Sequence, residues 1–389
     1  MPAAARAGAV QAEPSQRRVN TPAAGRHGAA IARESAPAVP AAADDAVSPP
    51  PIPGSGFDKK QLAARFVAGT RTRALLARML PREGVLILNY HRIGDGSASP
   101  HDRAVWSATE EDFDAQLAFL KDNCDVIALD DLEHALTARG RHVAITFDDG
   151  YLDNYQSAFA ALRRHRLPAA FFVTTGFIDR PRLPWWDEIA DRVRGHADGP
   201  LDMGEWLPHP LRLDAGNREA AIHTLLRRYK SLPISATRPF MQCLRERTAS
   251  DADAGSSGMW MDWTMLREMA EAGMTIGGHS VNHPILSSLP AQAQHEEIAG
   301  CARRIEQEIG RPMRYFAYPV GGRATFDADT WRALDEAGVR RAFSYYGGMA
   351  TRASERFDTQ RVAIEAYMDA DLFRAMVQLP QVFCRRPNE

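Results

Sequence analysis

The sequence predicts an α/β fold in which a parallel sheet, open or closed into a barrel, is covered by helices. Three observations carry this. From residue 85 onward, short apolar runs alternate with segments of helical period. The runs end in polar or turn-forming groups, so several strands deliver chemistry to one edge of the sheet. Residues 180 to about 258 break the alternation and read as an insertion in one strand-to-helix connection.

In chain order, residues 1–56 come first: rich in Ala, Pro, Ser and Gly, with essentially no aromatics and no apolar period. Such a segment buries too little surface to offset its ordering entropy, so it is expected to be a disordered tail. Arg17-Arg18 suggests a twin-arginine export signal, but Arg26, His27 and Arg33 interrupt the apolar region that signal needs. Residues 57–84 are a helical lead-in. Within it, 58–80 reads as a basic amphipathic helix, packed on the domain or in peripheral contact with a membrane.

One domain then spans 85–380. Strands are expected at 85–91, 125–129, 143–149, 169–174, 274–280, 314–319, 340–346 and 361–365. Helices are expected at 110–121, 153–165, 262–272, 290–309 and 327–337, with Asp327 and Asp329 suited to a helix start. The insertion holds two Pro-rich turns, two or three helical pieces and no clear strand, and "AGSSG" at 254–258 reads as a flexible return.

Composition narrows the function. A formal charge of -2 over 389 residues gives no field for nucleic acid or anionic lipid. Four cysteines without a CxxC pair suit buried or idle thiols better than disulfides or a zinc-cysteine site. No run approaches the ~20 apolar residues of a spanning helix. A monomer in the cytoplasm or at the inner face of a membrane is the expectation.

The strand ends carry the chemistry. One closes in Tyr90-His91 and another in Asp148-Asp149 before Gly150. A third closes in His279-Ser280, with His283 four residues on, and a fourth in Tyr318-Pro319 before Val320-Gly321-Gly322. His279 and His283 with one carboxylate make a two-histidine, one-carboxylate ligand set with open positions. That set also bears on the adjacent aspartates, which repel unless a positive charge compensates them; one can bind a cation while the other stays ionised. Consecutive strand residues face opposite ways, so both aspartates reach one site only where the strand breaks, which Gly150 permits.

"TFDDG", then "HSVNHP" about 130 residues later, then "YFAYPVGG", resemble the polysaccharide deacetylases of the NodB-homology group, carbohydrate esterase family 4. The resemblance covers roughly residues 85 to 365, and "LILNYHRI" looks like the first strand of one branch of that family. It implies an irregular (β/α)7-type barrel and removal of acetyl groups from a sugar, leading to an acetylated carbohydrate as the expected partner. It further implies Asp148 as general base, and Asp149, His279 and His283 as ligands of zinc, with cobalt or nickel as alternatives. The backbone N–H of Val320 would hold the oxyanion.

Two departures stand out. Where the family often has an arginine that orients the catalytic aspartate, this chain has Ala317. Arg314 is too far back along its strand, on the order of 10 Å, leaving Arg361 as a replacement or a structural ion-pair residue. The family's late acid histidine is also missing: after His283 only His295 follows, in a helical segment. His91, at a strand end, is the alternative acid or a substrate contact. Trp185-Trp186 stack on a sugar or pack, and His101 and Trp106 lie beyond the same edge. Competing readings are a metal-dependent hydrolase of another amide or a cyclic imide, and a non-catalytic carbohydrate-binding relic.

Overall fold

The computed structural model describes residues 83–248 and 258–384. The tail at 1–56, the amphipathic stretch 58–80 and the 254–257 part of the return segment lie outside the described residues.

Strands β1 (Val85–Tyr90), β2 (His142–Phe147), β3 (Ala170–Val173), β4 (Thr275–Gly278), β5 (Tyr315–Ala317) and β6 (Arg341–Ser344) pair in sequence order, all parallel. The seventh strand, β7, is split into Thr359–Gln360 and Val362–Ala363. Its first half pairs with β6 and its second half with β1. One short stretch thus links both edges, and the sheet becomes a near-closed irregular barrel. The strand expected at 125–129 is only Asp125–Val126. The chain then turns through Leu129–Asp131 and Leu132–Ala135, whose apolar side chains join the cluster inside the barrel.

Alternation along each strand decides what faces inward. In β1, Val85 and Ile87 belong to the inner cluster, and Leu86, Leu88 and Tyr90 to the outer layer under the helices. In β2, Ala144 is inside and Val143, Ile145 and Phe147 are outside. Continuing this period of two puts Asn89, Thr146 and Asp148 on the inner face, at the carboxyl end.

The connections carry α1 (Glu110–Asn123), α2 (Ala160–His165), α3 (Trp185–Gly195), α4 (Arg218–Lys230) and α5 (Ile234–Arg247). Beyond them lie α6 (Trp263–Glu271), α7 (Ala291–Ile309), α8 (Ala328–Glu336) and α9 (Ala370–Gln378). A π-helical stretch, Asn154–Phe159, leads into α2. Side chains start three helices: Asp327, as the sequence suggested, caps α8 in a capping box with Thr330, and Asp262 and Thr109 cap the N-termini of α6 and α1.

The insertion holds α3, α4 and α5, and it corrects one expectation, because Gly199–Leu201 and Leu211–Leu213 form a small antiparallel pair. Three-residue strands, one containing Pro200, are too short to show a period in sequence. The insertion has its own core, where Ile189, Leu225, Phe240 and Leu244 meet Tyr151, Phe177 and Trp260 at the barrel rim. Among the described residues, no helix is long and apolar enough to cross a membrane, and all four cysteines are free thiols.

Candidate metal centre and active site

Four of the five non-glycine residues with positive φ among the described residues sit at the carboxyl ends of the barrel strands: Asp149, Ser280, His283 and Val320. Left-handed backbone costs such residues energy, and the cost concentrates where side chains must be aimed against local preference. The break after β2 is made by Asp149 at φ 74° together with the expected Gly150 at φ 96°. The turn reverses the parity that would send Asp149 outward, so both aspartates face the barrel mouth.

Asp149 Oδ1 stands 3.4 Å from His279 Nε2 and 3.4 Å from His283 Nε2. The ligand atoms of the three residues all lie within 4.8 Å of one another, and all three are buried. Donors about 2.1 Å from an ion at the tetrahedral angle stand about 3.4 Å apart, so this spacing is that of a ligand set. Asp149 Oδ1 is buried with no hydrogen-bond partner, an arrangement that costs energy unless a cation meets it. The residues therefore fit a divalent metal.

Both histidines aim Nε2 at Asp149. His279 Nδ1 lies 2.8 Å from the Ala317 carbonyl, an acceptor, which leaves Nε2 free to point at Asp149. Burial, reinforced by the neighbouring His279, pushes His283 down to about 3, so it is neutral. Burial also pulls His279 down, but Asp148 and Asp149 outweigh it and raise its pKa: the field here favours positive charge. The loop is held by Glu297, whose Oε2 accepts the N–H groups of Val281 and Asn282 at 2.9 and 2.7 Å.

Asp148 finds its positive charge elsewhere. Arg361 Nη1 and Nη2 donate to its two oxygens, each at 2.7 Å, and Asn89 Nδ2 donates at 2.8 Å. Burial would raise the Asp148 carboxyl, but the Arg361 charge, with His279 and the hydrogen bonds, holds it well below the usual range. The two adjacent aspartates are thus compensated separately, Asp148 by a guanidinium and Asp149 by the two-histidine set. Arg361 is fully buried and sits at the split in β7, where it also donates to Thr146 Oγ1 at 3.2 Å.

Val320, at φ 63°, has a backbone N–H that no described residue accepts. The loop is pinned by Tyr345 N–H donating to Gly321 O at 2.7 Å, and a Cβ on Gly321 would stand 2.6 Å from that of Tyr345. His91 lies edge-on to Tyr345 at 5.6 Å, with its backbone held by Ser107 and Asn154.

The polysaccharide deacetylase family model matches residues 135–205 and 213–342, just over half of the chain and both halves of the metal set. The chain belongs to the polysaccharide deacetylase family. The putative polysaccharide deacetylase YxkH of Bacillus subtilis is 20% identical over 297 residues, 75% of each chain. Among solved structures, the Streptococcus pyogenes deacetylase PplD in complex with acetate superposes with a TM-score of 0.51 at 17% identity, covering 79% of this chain and all of that one. A Bacillus cereus polysaccharide deacetylase gives 0.51 at 16% identity, covering 76% of this chain and 69% of that one. At such identities the superpositions establish the fold alone.

In this deacetylase, Ala317 faces the barrel interior with Phe172, and the Arg361 guanidinium lies 5.3 Å from the Phe172 ring. An arginine from β7 therefore reaches the aspartate without one on β5. Two weaker candidates fall away: Arg314 faces Asp130 at 3.6 Å, and His295 lies on α7, 3.5 Å from Glu336.

Sequence reasoning missed two features. Asn89 carried a signal, a polar residue inside an apolar strand with the parity of Asp148. The other is a chain of contacts behind His283, whose Nδ1 is buried and unpartnered. The Trp186 ring packs on His283 at 4.4 Å, and its Nε1–H donates to Tyr151 Oη at 2.8 Å. Tyr151 in turn donates to Asp187 Oδ2 at 3.0 Å. Burial, against Arg92 and with Asp102, pushes Asp187 up to about 7. Trp186 is thus a packing residue, and the insertion braces a metal ligand.

Proposed function

We propose that this chain is a zinc-dependent hydrolase that removes acetyl groups from an N-acetylated sugar, in a polysaccharide or on a lipid or small carrier. Cobalt or nickel would serve the same ligand set. The observation that carries the reading is the Asp149–His279–His283 triad beside an Asp148 held ionised by Arg361. Bound by the triad, a divalent cation supplies a water of lowered pKa, towards ~7, and a Lewis-acid contact for a carbonyl oxygen. Asp148 accepts the proton of the attacking water, and its two guanidinium bonds fix the direction from which it does so. The free Val320 N–H donates to the oxygen on which charge develops. His91 gives a proton to the leaving amine.

The test is acetate release from acetylated oligosaccharides with and without a chelator. Release that stops with chelation and returns with zinc supports the proposal. Silence across a broad acetylated-glycan panel with zinc, cobalt and nickel would instead favour a carbohydrate-binding relic. His91→Ala is expected to lower kcat by about 10²-fold or more with metal content unchanged, in line with loss of a general acid. Full turnover by that variant would remove His91 from the mechanism.

A further inference from the structure

Next to His283, between the insertion and α7, lies a cavity of about 330 Å³, within the size class of small-ligand sites. One wall is aromatic: the Trp185 and Tyr229 rings stack at 4.2 Å with 12° between their planes, and Trp185 is only half-buried. Its polar lining consists almost wholly of acceptors. Ser288 Oγ–H is committed to Ile285 O at 2.6 Å, which leaves its lone pairs to a ligand, while Thr237 Oγ1 donates to Ile234 O at 2.8 Å and shares a hydrogen bond with the Tyr229 hydroxyl.

The charge is one-sided as well. Glu296 takes one hydrogen bond, from Gln292 at 2.9 Å, and has no ion-pair partner among the described residues. No Lys or Arg lines the cavity. The cations nearest to it are Arg182, which donates to Asn282 Oδ1 at 2.7 Å, and Lys230, 5.9 Å from the Trp185 ring.

We infer that this cavity is a subsite for a 2-amino-2-deoxy sugar unit, adjoining the unit whose acetyl group is removed. The inference rests on the deacetylase reading. An aminosugar offers what the lining lacks: an ammonium group for Glu296, a hydroxyl donor for Ser288, and an apolar ring face for the aromatic wall. A phosphate or carboxylate would face Glu296 without a counter-charge, and an N-acetylated unit brings no cation. The enzyme would therefore favour acetylated units next to ones already deacetylated, so that its own product guides the next cycle.

The experiment titrates the zinc-loaded full chain carrying Asp148→Asn, which leaves ligands uncut, with β-1,4- and β-1,6-linked glucosamine hexamers and their N-acetylated counterparts. One glucosamine hexamer is expected to bind about tenfold more tightly than its N-acetylated counterpart at low salt. Adding Glu296→Gln should weaken it about tenfold, as should Trp185→Ala, while the N-acetylated hexamer is indifferent to Glu296→Gln. Absence of glucosamine-hexamer binding, or binding that neither substitution changes, overturns the subsite. Acetate release by the unsubstituted enzyme is read separately. Release without substitution-sensitive hexamer binding sinks the subsite alone, and such binding without release sinks the deacetylase reading alone.

Discussion

Asp148→Asn should abolish turnover, by about 10³-fold or more, while the protein keeps its metal. The amide preserves the shape of the side chain but cannot accept the proton of a nucleophilic water, and general-base catalysis is worth about 10²–10⁴-fold. Metal is retained because the ligand atoms belong to Asp149, His279 and His283, with both 3.4 Å spacings converging on Asp149. His279→Ala is the contrast: it removes a ligand, and both metal and activity should be lost. Metal content by elemental analysis beside acetate release separates the two. An Asp148→Asn protein that comes out metal-free would mean that the roles of the two aspartates are reversed.

Arg361→Met should produce the largest loss of stability of any single change at this site, about 3–5 kcal/mol at neutral pH, because it strands a buried carboxylate. The side chain is fully buried and makes both 2.7 Å bonds to Asp148. Adding Asp148→Asn should recover much of the loss, since a neutral amide needs no counter-charge. The pH dependence follows from the direction of the shift. Asp148 is held below its ordinary value in the fold, so the pair's contribution is full above about pH 4, the unfolded value, and fades as pH falls through the folded one. The gap between wild type and Arg361→Met in urea unfolding should therefore be widest near pH 7 and narrow in acid. A gap that stays constant across that range would show that Arg361 acts by packing alone.

Much of the fold was legible because its signals are local. Alternating apolar runs and helix-period segments marked six of the seven barrel strands and the second half of the seventh, Val362–Ala363 within the run at 361–365, and Asp327 announced the start of α8. The metal set was legible too, since its members sit in compact motifs at strand ends. The first half of β7, Thr359–Gln360, and the split itself were harder: a two-residue pairing before a buried arginine carries no period, and only the closing of the ring makes it part of a strand. The insertion's short antiparallel pair was hidden for the same reason.

By itself, then, the sequence determined which chemical groups this protein brings to one edge of a parallel sheet, because residue type and period are properties of short segments. It also put Arg361 forward, without telling a clamp on Asp148 from a distant ion pair. Tertiary structure decided that. Arg361 and Asp148 are 213 positions apart, and their meeting depends on barrel closure and on strand parity together. It also decided that Asp149 shares the turn with Gly150, and that Trp186 packs behind a metal ligand while Trp185 lines a cavity. Neighbouring residues of the same type differ there only in which side of the helix meets the barrel, and no sequence period encodes the surface against which an insertion will land.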